Sequence, residues 1–435
     1  MAEHVEQTPR SGLAEGVVWP ALTLEAVVYA GLFLGAAAIR FAGLGRWPLL
    51  RHEAEQALLA WRFLHGEGAS SAAVPLLFDG ALLSFFAFGA SDAVARLLPA
   101  LLGALLPLVP LLLRHRLGTW GALTACFVLS FSPLVVFYSR TLAGVIPMLA
   151  GTGTLLVAWE LASQKRIGAA RAAAVAGLAI AITSSPWTYT FLLAVALCGL
   201  WGWLAGRRGR AWPSWASIME RVRLLLGGGR TALGLALTVV LLSTALLLHP
   251  SGLQGTANLL AVWLGRLVPG SGGTAWGHPM LLLAFYEVGT VLLGLLGAVV
   301  SVRRRDGWGT FLAVWAGLTL SLALVAGGRD GEPVAASLLA LALLAGRGVQ
   351  TLAMRMPPAR WRWVGGNLAL LGSLFGFWWL QAAAYLNPEV SFTNAAHAQV
   401  LLALVAGTPL AMIAATAVLW QFAGRREAAW AVLLA

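Results

Sequence analysis

The chain has 435 residues, 59% of them hydrophobic and only 11% charged, with a mean hydropathy of +0.81. Soluble domains carry about 25% charged residues, so a water-soluble globule is excluded and an integral membrane protein is implied. The formal charge of +12 sits in short loops between apolar runs, which makes it a record of topology and not a nucleic-acid footprint.

Residues 1–19 read as a cytoplasmic tail, and the first apolar run lacks the basic n-region of a cleavable signal. Apolar runs of about 20 residues, enough to cross a core of roughly 30 Å, then recur. They lie near 20–40, 95–113, 119–137, 145–162, 169–184, 187–205, 231–248, 281–301, 308–326, 334–352, 364–385 and 398–421. Barrel strands would show short alternating segments instead, so the pattern predicts an all-α polytopic protein with about 12 transmembrane helices. The stretch 75–89 is apolar too, but it is short, contains Asp79 and ends at Gly89. A segment of that length predicts an outer-surface interfacial helix.

Charge bias supports this layout. With 75–89 outside, 21 of the 29 Lys and Arg residues fall on cytoplasmic loops, among them Arg303, Arg304 and Arg305, and both termini are cytoplasmic. If 75–89 crossed, every later loop would invert and oppose the positive-inside rule. The segment "RRGRAWPSWASIMERVRLLLGGGR" then reads as an amphipathic surface element drawn to anionic lipid. Cys126 and Cys198 lie inside apolar runs and read as small buried hydrophobes.

Polar chemistry collects on the predicted outer face. The first outer loop carries Arg51, His52, Glu53, Glu55, Arg62, His65 and Glu67, followed by Asp79 and Asp92, with Arg96 opening the next span. A second outer turn holds Tyr138, Ser139 and Arg140. Arginines at the mouth of a helix bundle suit phosphate, which the guanidinium fork binds bidentately, and a carboxylate beside them suits a general base. Each also has a plainer reading: a snorkelling or capping arginine, a helix-ending His249-Pro250 or His278-Pro279, and a Ser139 that satisfies backbone. Phosphate-cradle, dinucleotide, zinc-protease and Cys-x-x-Cys motifs are absent from the sequence.

The stretch "AIRFAGLGRWPLLRHEAEQALLAWRF" followed by "PLLFDGALLSFFAFGASDAVARLLPALLGALLPLVPLLLRHRLGTWGALTACFVLSFSPLVVFYSR" resembles a known family. It is similar to the opening of the polyprenyl-phosphate-sugar-dependent glycosyltransferases of the GT-C fold, the protein mannosyltransferase-like group, and in pattern to its flippase-activity-associated subgroup. The likeness is good over 35–165 and weak over 166–435, so 20–165 is taken as a GT-C-like module. The resemblance implies a site on the extracytoplasmic side that takes a lipid-linked sugar donor, with an acceptor and a divalent metal not specified by the motif. The family's first loop reads small-Asp-Glu-Ala; here His52 stands at the first acid and Glu53 at the second. The family often has a metal-holding Asp after the Ser-Arg of the second outer loop, where this chain offers Val145 or its apolar neighbours. A His-Pro or His-Gly-Pro usually opens the interfacial helix, and Val74-Pro75 does so here.

Two functions follow. In the first, Glu53 with His52 activates an acceptor hydroxyl, Arg96 and Arg140 hold the donor phosphate, and Asp79 and Glu55 position the sugar or an ion. In the second, the chain is a catalytically degenerate relative that binds lipid-linked sugar or serves as a membrane scaffold. An ion-coupled transporter fits less well, since its ionisable groups would gather at mid-membrane and not at span ends.

Overall fold

The computed structural model describes residues 23–67, 74–207, 222–267, 278–325 and 331–354, with short helical pieces between 374 and 414. Most of the predicted span at 364–385 and most of the amphipathic element at 207–230 lie outside the described residues.

All regular structure among the described residues is helical: α1 (Leu24–Phe41), α2 (Arg51–Leu64), α3 (Pro75–Phe88), α4 (Asp92–Ala95), α5 (Leu97–Leu105), α6 (Leu108–Leu112), α7 (Arg114–Leu117), α8 (Thr119–Phe131), α9 (Pro133–Ser139), α10 (Val145–Ser163), α11 (Ile167–Ser184), α12 (Thr188–Arg207), α13 (Gly229–Ser243), α14 (Gly252–Arg266), α15 (His278–Tyr286), α16 (Val288–Arg303), α17 (Gly307–Val325) and α18 (Glu332–Ala353).

The bundle is built around α18, a 22-residue helix buried on nearly every side, as a helix apolar all round must be. Small residues let the backbones meet. A Cβ on Gly346 would strike the Gly121 carbonyl of α8, and one on Gly297 of α16 would strike the Leu344 carbonyl. Helices α10 and α11 cross the same way: a Cβ on Gly151 would sit 2.6 Å from the Gly177 carbonyl, and the reverse contact is 2.7 Å. Lipid gives helices no hydrophobic reason to associate, so close backbone packing does this work.

Among the described residues, five helices are long and apolar enough to cross a bilayer: α1, α10, α11, α17 and α18; the bent pair α8–α9, taken as one span, makes a sixth. Shorter apolar helices fill much of the remaining pattern, so the chain is an integral membrane protein, and among the described residues several of the twelve apolar runs are broken into shorter helices. Local chemistry accounts for the breaks. Pro107 falls between α5 and α6, and Pro133 opens α9 after a 53° bend, since proline lacks the N–H that continues a helix. The run 281–301 breaks at Glu287 between α15 and α16. The run 231–248 ends early, because Ala245, Leu246 and Leu247 all take positive φ after Ser243. The 14-residue α3 is too short to span, the length expected for 75–89. Helix α14 was not apparent from the sequence.

At the end of the bundle away from α2 and α3, Arg116 pairs with Glu160 and Arg347 pairs with Asp306. Both guanidiniums lie over the Trp308 ring, Arg116 at 6.0 Å and Arg347 at 5.4 Å from its centre.

Candidate functional site

The stretch after α1 turns back through Gly43, at φ +60, and enters α2 at Leu50. Glu53 occupies the first turn of α2, where an acidic side chain reaches back to the helix start. Its Oε2 accepts the Leu50 N–H at 2.8 Å. Residues 53, 57 and 60 are buried, one stripe at helical spacing, while Arg51, His52 and Glu55 face out. That stripe packs with Leu77, Phe78, Ala81, Leu82 and Phe85 of α3, Leu142 and Ala245 in a single apolar cluster.

Glu53 is fully buried and faces Arg96, itself 3% exposed. The pair is bidentate, with Arg96 Nε to Oε1 at 3.1 Å and Nη2 to Oε2 at 2.6 Å. The Leu142 N–H donates to Oε1 at 2.5 Å. The rest of the Arg96 fork donates to the carbonyls of Leu44 (3.2 Å), Trp47 (2.8 Å) and Pro48 (3.1 Å). One ion pair therefore ties together the loop after α1, the start of α2, the start of α5 and the turn before α10. Burial alone would raise the Glu53 carboxyl, but Arg96 and the two backbone N–H groups overcome it and hold the group below the ordinary carboxylate range.

Arg140 follows α9 and caps α1. Its Nη1 donates to the Ala42 carbonyl at 2.8 Å and to that of Ile39, and its Nη2 to Gly43 at 3.1 Å. Cationic donors at a helix C-terminus satisfy the orphan carbonyls there. Ser139 Oγ donates to the Val136 carbonyl at 2.7 Å, which is the backbone role.

Asp79 lies on the buried side of α3, 5% exposed. Its Oδ2 accepts the Ala245 N–H at 3.1 Å, while Oδ1 is buried without a hydrogen-bond partner. Burial pushes the carboxyl up to about 7, against the Ala245 bond. His249 packs its ring on Phe78 at 4.9 Å and Phe63 at 5.3 Å, and meets Ser251 Oγ at 2.8 Å. Glu55 pairs with Arg51 at 3.1 Å on the exposed side of α2.

The structure thus unites Glu53 with Arg96, and brings the Arg140 turn to them through Leu142. His52 and Glu55 share the exposed side of the same helix, and Asp79 stands apart under the 245–247 turn. A donor phosphate on Arg96 would have to displace the carbonyls and the carboxylate that take up all five of its N–H groups. The residues present do not fit a divalent metal: Glu53 is saturated by donors, Val145 is buried and apolar, and among the described residues no three His, Cys, Asp or Glu side chains come together. Sequence reasoning missed Glu287 and Arg40, both buried where α8 breaks into α9. The signal for Glu287 was a lone acid inside an apolar run.

No family model and no curated protein matches the sequence. Among solved structures, ArnT from Cupriavidus metallidurans bound to undecaprenyl phosphate superposes with a TM-score of 0.62 at 14% identity, over 94% of this chain and 75% of that one. Its apo form gives 0.60 at 15% identity over 94% and 74%. The chain has the GT-C membrane fold. At such identity the likeness speaks to fold, and it extends well past residue 165, where the sequence resemblance faded.

Proposed function

We propose that the chain is a membrane glycosyltransferase that takes a sugar from a polyprenyl-phosphate donor and passes it to a hydroxyl acceptor at the α2–α3 end of the bundle, on the extracytoplasmic side. The observation that carries this reading is the Glu53–Arg96–Leu142 lock, which fixes the first turn of α2 and leaves His52 facing out beside it. Support comes from the fold shared with a protein that binds undecaprenyl phosphate, and from the first-loop resemblance to the protein mannosyltransferase-like group.

The roles divide by burial. A carboxylate filled by four donors has no lone pair to spare for a substrate proton, so Glu53 positions and His52 takes the proton. The acceptor oxygen attacks the anomeric carbon, the bond from that carbon to the phosphate oxygen breaks, and polyprenyl phosphate leaves with the electron pair. The acceptor proton passes to the His52 imidazole. Glu55, paired with Arg51 on the same exposed side, borders the acceptor's approach.

A second reading, a lipid-linked-sugar-binding protein without turnover, is favoured by the commitment of every Arg96 N–H to Glu53 and backbone carbonyls. Incubating the purified chain in nanodiscs with labelled polyprenyl-phosphate sugar separates the two. Release of free polyprenyl phosphate supports the transferase, whereas tight donor binding with no release supports the second reading.

A further inference from the structure

Helices α8 and α9 form one bent span, interrupted at Ser132-Pro133. Each raw end of the break meets a buried charge of the sign that the helix dipole favours. At the end of α8, Arg40 donates to the carbonyls of Ser130 at 2.9 Å and Leu129 at 2.8 Å, and within its own helix to Ala36 at 3.0 Å. At the start of α9, Glu287 accepts the Leu134 N–H at 3.3 Å and the Ser132 hydroxyl. The other Glu287 oxygen accepts the Thr290 hydroxyl at 2.9 Å. Arg40 is 0% and Glu287 2% exposed. Glu287 also stands at the break between α15 and α16, so two interrupted helices share one carboxylate.

Ionisable groups inside a membrane bundle are costly and are kept where they have a task. Here the geometry indicates one. Helix α9 has only seven residues, a rod of about 10 Å, so whatever fixes its start also fixes its end. That end carries Arg140, which caps α1, and the turn whose Leu142 N–H reaches Glu53.

We propose that Arg40 and Glu287 are positioning residues for the candidate site: they hold the α8–α9 break so that α9 presses the 140–144 turn onto Glu53 and keeps the first turn of α2 in place. This rests on the reading of that site as a transferase, and neither residue touches substrate.

The test uses the full chain in nanodiscs and two readouts, amide exchange by mass spectrometry and transfer kinetics. For Glu287→Ala, exchange over 140–144 rises about tenfold, as loss of a cap predicts, while peptides from 151–163 keep their rate. The kcat falls by about 10–100-fold with KM nearly unchanged, the mark of a misplaced group and not of lost binding. Glu287→Gln keeps an oxygen for Leu134 and Ser132 and recovers most of both effects. Arg40→Met, which uncaps α8, repeats the exchange pattern and stands in where Glu287→Ala does not fold. Unchanged exchange at 140–144 in both variants, a uniform rise through the bundle, or a KM effect alone overturns the proposal. Exchange needs no turnover, so a wild type without transfer activity would sink the transferase reading and leave the positioning of the turn to be judged on exchange alone.

Discussion

Replacing Glu53 by Gln is the sharpest perturbation the structure offers. The carboxylate accepts Arg96 at 3.1 and 2.6 Å, Leu50 N–H at 2.8 Å and Leu142 N–H at 2.5 Å, with two donors on each oxygen. An amide keeps one oxygen, and its NH2 then confronts two donors whichever way it turns. Arg96, 3% exposed, retains three carbonyls but loses its only counter-charge in this cluster. Breaking a buried pair by removing one partner costs about 3–5 kcal/mol, since the survivor stays desolvated and unpaired. Chemical unfolding in mixed micelles, followed by tryptophan fluorescence, measures the loss. The double variant Glu53→Leu/Arg96→Met removes both charges and recovers at least about 2 kcal/mol relative to the sum of the single variants. A Glu53→Gln cost below about 1 kcal/mol, or strict additivity in the cycle, would refute the lock.

Other consequences follow from the neighbouring residues. Asp79 titrates near 7 in the fold against an ordinary 3.8, so the folded state holds a proton that the unfolded chain releases. Its contribution is complete below about 4 and fades as pH rises towards 7, a loss of up to roughly 4 kcal/mol; in Asp79→Asn that slope disappears from a stability–pH series. Glu53 runs the other way: its depressed carboxyl stabilises above the ordinary 4.5 and loses that contribution as pH falls through its folded value. The same series on the Glu53→Gln variant shows a smaller acid-limb loss than wild type. Gly144→Ala drives a Cβ into the Ser184 carbonyl and costs about 1–3 kcal/mol as an overpacking change. A melting temperature equal to wild type would contradict that contact.

The membrane class, the helical fold and the shortness of α3 were legible because they follow from apolar run length and composition. The breaks were not. Run length is blind to Glu287, to the left-handed 245–247 turn and to the bend at Ser132-Pro133, where tertiary capping makes an interruption tolerable inside the bundle. At the site, charge clustering drew attention to His52, Glu53, Arg96 and Arg140, and the structure joins Glu53 to Arg96 directly, while Arg140 caps α1 two residues before Leu142, whose N–H reaches Glu53. Their division of labour was hidden, because burial and hydrogen-bond saturation depend on which face of α2 turns inward. Nothing local distinguishes Glu53, which is sealed, from His52, which is exposed. Arg40 was hidden for a similar reason: its partners at Leu129 and Ser130 lie some 90 residues away in sequence.

The central claim, that His52 takes the proton while Glu53 only holds the helix, is tested most directly by transfer from labelled polyprenyl-phosphate sugar in wild type, His52→Ala and His52→Asp. Loss of a general base costs about two to four orders of magnitude in rate, and His52 is exposed, so His52→Ala folds normally and loses that much. His52→Asp supplies the acid found at this position in the resembling family and remains active alongside the wild type. Equal rates in wild type and His52→Ala would contradict the claim, as would a wild type that is silent until Asp is introduced.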